Sequence, residues 1–142
     1  MPESLPDEVE VLSGRHGDLH WQVWAGGTEA DLMTMLKIFR GDQLVDSSGF
    51  GGPALFLNEK VNEWRGRADD LPYFVMARSA REVSRLVAVT DRGTRIELKL
   101  SEVDSRFGLR FAAAGLPDGE GPGVLIVEVD GQPAGSLRQE MF

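Results

Sequence analysis

The chain of 142 residues carries 15 basic and 23 acidic side chains, a net charge of -8, with 42% apolar residues, 17 Gly and no Cys. That composition suits one ordinary folded domain and lies outside the disordered, collagen-like and membrane-spanning classes. The missing thiols exclude cysteine nucleophiles, thiolate metal sites and redox switching.

Residues 1–7 read as an acidic N-terminal tail, without the basic-then-apolar order of a secretory signal. No stretch approaches the roughly 18 consecutive apolar residues of a membrane span, so a cytoplasmic location is the expectation. Residues 8–142 read as a single β-sandwich domain. His16 and His20 are the two histidines, but Gly14 and Gly17 argue against a helix that would align them, and a zinc site needs three or four ligands. Neither a metal nor a cofactor is expected.

Leu19, Trp21, Val23 and Ala25 alternate with His20, Gln22 and Trp24, the pattern of a half-buried strand. Residues 28–41 send two signals. Thr28 with Asp31 resembles a helix-capping pair, and Leu32, Met35, Leu36 and Phe39 fall at helical spacing. The Gly26-Gly27 and Gly41-Asp42 pairs on either side, in a chain dominated by period-two patterns, favour a strand instead, and a strand is expected.

Ser47, Ser48, Gly49, Gly51 and Gly52 belong to a glycine-rich stretch read as a loop between sheets. It matches no nucleotide-binding loop and no nucleophile elbow. A pocket beneath it, serving a small ligand or a carboxylate-based reaction, is one alternative function. A short helix is expected over 58–64, from the three-residue spacing of Val61 and Trp64. Around it, Phe50, Phe56, Trp64 and Tyr73 lie near Arg65 and Arg67, and aromatic residues beside arginine are the types enriched at interface hot spots. Phe50, Trp64, Arg65, Arg67 and Tyr73 are therefore the candidate interaction surface. Asp69 and Asp70 read as solvated acids in an exposed turn.

Tyr73 to Ala77 reads as a strand, and Val83–Thr90 and Arg95–Ser101 as a hairpin around Asp91-Arg92-Gly93. A two-residue turn would set Val89 opposite Ile96. A three-residue turn would set Ala88 there. Hydrophobic matching favours the first. Phe107, Leu109, Phe111 and Ala113 alternate with Arg106, Gly108, Arg110 and Ala112, and Val124–Val129 leads into an Asp130-Gly131 type I′ turn and a last strand over 134–137.

Charge is uneven along this order. Residues 1–77 sum to -7, residues 78–110 to +3 and residues 111–142 to -4. The arginines of 78–110 suggest an anion-binding module as a second alternative, while the acidic remainder makes nucleic acid an unlikely partner.

The order of the Trp21 to Ala25 strand, the Leu32 to Phe39 segment, the Ser48-Gly49-Phe50-Gly51-Gly52-Pro53 stretch, the Ala77-Arg78-Ser79-Ala80 step and the Asp91-Arg92-Gly93 hairpin resembles small uncharacterised β-rich domains of actinobacterial proteins. The resemblance implies an immunoglobulin-like outline and no catalytic residue. The expected fold is thus all-β, a two-sheet antiparallel sandwich of seven to nine strands. The expected function is a non-catalytic binding or protein-interaction module, with a protein partner or a homodimer.

Overall fold

The computed structural model describes residues 8–55 and 59–138. Among them there is no helix; twelve strands form three antiparallel sheets of four. The front sheet is a meander of β1 (Val9–His16), β2 (Leu19–Gly27), β3 (Leu32–Arg40) and β4 (Gln43–Phe50). The central sheet has β5 (Val61–Gly66) and β6 (Phe74–Ser79) beside β10 (Arg110–Gly115) and β9 (Lys99–Leu100), in the order β5-β6-β10-β9. The back sheet has β7 (Val83–Thr90), β8 (Arg95–Glu97), β11 (Pro122–Val129) and β12 (Gln132–Arg138), in the order β12-β11-β7-β8.

The central strands are buried on both faces. Phe74 and Met76 of β6, with Phe111 and Ala113 of β10, pack against Leu19, Trp21, Val23, Leu36 and Ile38 of the front sheet. Their neighbours Val75, Ala77, Ala112 and Ala114 pack against Leu86, Ala88, Leu125 and Val127 of the back sheet. Three layers replace the expected two, and twelve strands the expected seven to nine. A strand covered on both sides shows a nearly continuous apolar run rather than a clean alternation, as Phe74-Val75-Met76-Ala77 does.

The run from β8 to β9 changes sheets at Leu98, whose N–H donates to the Leu86 carbonyl of β7 at 2.9 Å. This segment ties the back sheet to the central one at a corner.

Residues 32–40 are a strand, as context suggested over local propensity. The apparent cap is a turn: the Asp31 N–H donates to both the carbonyl (3.1 Å) and the hydroxyl (3.2 Å) of Thr28. The expected helix over 58–64 is replaced by β5 from Val61 onward, because Asn62, Trp64 and Gly66 turn towards the front sheet and Val61 towards the back. Asn58 and Phe56 lie outside the described residues, as does the acidic tail of residues 1–7.

The 91–93 hairpin takes the register that hydrophobic matching disfavoured, with Ala88 opposite Ile96 and Val89 opposite Arg95. Thr90 explains the choice. Its hydroxyl accepts the N–H groups of Arg92 (3.2 Å) and Thr94 (3.1 Å), and only Gly93 takes a positive φ, of 83°. A two-residue turn would have forced Arg92 into that region. Asp130 (φ 52°) and Gly131 (φ 80°) form the two-residue turn as expected, between Val129 and Gln132.

Among the described residues no helix is long and apolar enough to cross a membrane.

Candidate functional site

Arg78 is one of the basic residues considered for an anion patch, yet it is only 1% exposed. Its place on β6 follows from alternation: Phe74, Met76 and Arg78 share the face turned to the front sheet. There the guanidinium donates to the carbonyls of Leu32 (2.6 Å) and Pro53 (3.0 Å), to the Thr34 hydroxyl (3.2 Å) and to Asn62 Oδ1 (2.9 Å). The Phe50 ring lies 4.2 Å from its Cζ. Burial lowers its pKa to about 10, partly offset by the negative charge of Glu59, so the group remains cationic at neutral pH. Arg78 is thus a clasp binding β3, the chain after β4, and β5 into one unit.

The other cations of 78–110 are dispersed. Arg85 lies between Glu97 (3.0 Å) and Glu128 (3.3 Å), Arg106 is held by Asp104 (2.6 Å), and Arg110 Nε donates to the Arg81 carbonyl (3.2 Å). These residues do not form a single basic patch.

The residues expected to form an interaction surface are also separated. Phe50 and Trp64 pack on the front core and Tyr73 on the back one. Arg65 is buried, 7% exposed, while Arg67 is exposed with its guanidinium 5.1 Å from the Tyr73 ring centre. Ser47, Ser48 and Gly49 are not in a loop but in β4, paired with Lys37, Leu36 and Met35; only Gly51 and Gly52 continue past its end. Gly49 is required by this pairing, since a β-carbon there would lie 2.0 Å from the Thr34 carbonyl oxygen.

Two other features have the character of a site. The first is a groove of about 380 Å³ where the three sheets meet, lined by Arg15, His16, Trp21, Ile96, Glu97 and Lys99 over a floor of small β10 residues, Ala113 to Gly115. Two glycines make room for its rings. A β-carbon at Gly14 would lie 2.3 Å from Cζ2 of Trp21, and one at Gly115 would lie 2.5 Å from Cγ of His16. The His16 ring also packs edge-on to Phe74, 5.8 Å between centroids. Lys99 Nζ donates to the Ser13 carbonyl of the β1 edge at 2.6 Å. Trp21 is 2% exposed, and its Nε1–H has no acceptor among the described residues. A buried donor left without a partner costs about 1–3 kcal/mol.

The second feature is the outer face of the front sheet. Alternation turns Leu19, Trp21, Val23 and Ala25 inward, and Leu32, Thr34, Leu36 and Ile38 with them. It therefore sets Trp24, Met33, Met35 and Phe39 outward, all half-buried, with Trp24 opposite Met35. Leu44 of β4, opposite Phe39, is 49% exposed. Lys37 crosses the middle of this face, 4.2 Å from the Trp24 ring centre and 3.7 Å from a Glu8 carboxylate oxygen.

Neither feature stands out in the sequence: Trp24 falls on the polar side of its strand's alternation, and the groove joins residues about a hundred positions apart. Among the described residues no group of three His, Asp or Glu side chains gathers in a way that could hold a metal. Comparisons with protein-family models, with curated proteins and with solved structures gave no match.

Proposed function

We propose that this chain is a non-catalytic protein-interaction module that self-associates through the outer face of the front sheet. The observation carrying this reading is the row of Trp24, Met33, Met35 and Phe39 on a face that belongs to neither core. Tryptophan, phenylalanine and methionine are enriched at interface centres, and methionine repacks readily against a partner.

Size and charge favour a second copy as the occupant. A four-stranded face of eight- or nine-residue strands covers roughly 500 Å² in plan, so two of them bury on the order of 1,000 Å², the lower bound of a specific interface. The net charge of -8 sets most of the surface against self-contact. This face carries both signs, with Lys37 paired to Glu8 and with Glu10 and Arg15 on β1, so two copies meet there with little repulsion.

Light scattering across a concentration series tests the reading. A dimer is expected to appear as concentration rises, and Met35→Glu is expected to weaken it at least about tenfold by placing a charge at the centre of the contact. Circular dichroism checks that the variant is folded. A monomer at every concentration, or a dimer indifferent to Met35→Glu, overturns the proposal.

A further inference from the structure

The groove between β1, β8–β9 and β10 points to a second site, separate from the self-association face. We infer that it binds a small organic anion, a carboxylate on a compact apolar body.

Lys99 and the His16 ring line the groove with a single acid, Glu97, whose carboxylate is already engaged by Arg85 at 3.0 Å. In a chain of net charge -8 the Lys99 ammonium is thus a local positive charge whose neighbouring acid is engaged elsewhere. Lys99 uses one of its three donors on the Ser13 carbonyl at 2.6 Å, which fixes the ammonium at the groove and leaves two donors for an incoming oxygen.

Shape supplies the rest. The floor of Ala113, Ala114 and Gly115 and the wall of Ile96 are apolar, and about 380 Å³ suits a molecule the size of one aromatic ring with its substituent. Gly14 and Gly115 leave the room that the Trp21 and His16 rings occupy along this wall. The Trp21 Nε1–H, buried and without an acceptor among the described residues, is a donor that a ligand oxygen would satisfy. A carboxylate meets both requirements, with charge for Lys99 and an acceptor for the indole.

The test follows the indole N–H resonances of the three tryptophans by NMR during titration with benzoate, benzyl alcohol and inorganic phosphate. Benzoate is expected to shift the Trp21 resonance saturably, while that of Trp24, already bonded to Gln22 Oε1 at 2.9 Å, stays in place. Lys99→Met, at an exposed position, is expected to weaken benzoate binding about tenfold, the loss of one hydrogen bond to a charged group. A stationary Trp21 resonance overturns the proposal. So does an equal response to benzyl alcohol, a response to phosphate alone, or an affinity unchanged by Lys99→Met. Because the readout is local, it is independent of whether the chain dimerises, and repeating it in Met35→Glu separates the two proposals.

Discussion

The two cores on either side of the central sheet are built from the same strands by different means. Towards the front, β6 and β10 present Phe74, Met76, Arg78 and Phe111, and the facing sheet answers with Trp21, Leu36 and Ile38. Towards the back they present Val75, Ala77, Ala112 and Ala114, against Leu86, Ala88, Leu125 and Val127. Large rings leave gaps that small residues do not. The front interface holds Arg78 at its centre and borders the groove, while the back interface is mainly aliphatic with the buried Arg65 of β5 opposite Val75, and β8–β9 joins its two sheets through the chain at Leu98. The front sheet is held to the central one by packing, by the Arg78 clasp and, at the β1 edge, by the Lys99–Ser13 hydrogen bond.

That dependence sets the largest expected effect. Arg78→Met fills similar space but withdraws the donors from the Leu32 and Pro53 carbonyls, Thr34 and Asn62. Breaking a buried charged network of this kind costs about 3–5 kcal/mol. Urea denaturation measures the loss. Hydrogen exchange sharpens it: the amides of β2 and β3 are expected to lose protection before those of β7 and β11, because only the front interface has lost its clasp. Arg78→Lys is expected to rescue little, since one ammonium cannot span four acceptors set by a planar fork. Equal loss of protection in all three sheets would show that the cores do not differ in this way.

Much of this arrangement can be read in the chain, and the parts that cannot have physical causes. Strands over 19–25 and 32–40 follow from alternation and the turns around them, and the Asp130-Gly131 hairpin follows from backbone preference alone. The third layer is hidden by alanine. Ala112 and Ala114 do not register as apolar beside Phe111 and Ala113, so a strand buried on both faces resembles one buried on a single face. Arg78 carries the charge of a surface residue, and nothing local shows that four acceptors from distant segments surround it. Val61 and Trp64 are three apart and suggest a helix, whereas they lie on opposite faces of β5. The groove depends on Gly14 and Gly115 meeting two rings, a tertiary event with no local pattern.

A smaller effect compares the cores within one strand. Ala112 and Ala113 are both fully buried, but Ala112 faces the closely packed back interface, whereas Ala113 borders the groove. Ala112→Val is expected to cost about 1–3 kcal/mol by overpacking, and Ala113→Val less, because the groove beside Ala113 gives its neighbours room to shift. Thermal denaturation of the two variants decides the point. Equal costs would mean that the two sides of β10 are packed alike.

The smallest effect concerns the turn that closes one end of the front core. Asp104 accepts hydrogen bonds from Arg106 through both its backbone N–H (2.9 Å) and its guanidinium (2.6 Å and 3.0 Å), while Phe107 packs edge-on to Phe111 at 5.9 Å. The Arg106 side-chain hydrogen bonds hold the Asp104 carboxyl below its ordinary pKa, outweighing the opposing effect of burial. A carboxylate with a depressed folded pKa stabilises the fold above its unfolded pKa, near 3.9, and loses that contribution as pH falls through the lower folded value. Hydrogen exchange at Phe107 and Gly108, whose amides donate to the Asp104 carbonyl at 3.2 Å and 2.7 Å, is therefore expected to accelerate below about pH 4, ahead of the back sheet. Asp104→Asn should remove that acid dependence while costing less than about 1 kcal/mol at neutral pH, since Arg106 remains exposed and its ion pair is screened. If the variant kept the acid dependence, the pH response of the front core would have to arise from carboxylates other than Asp104.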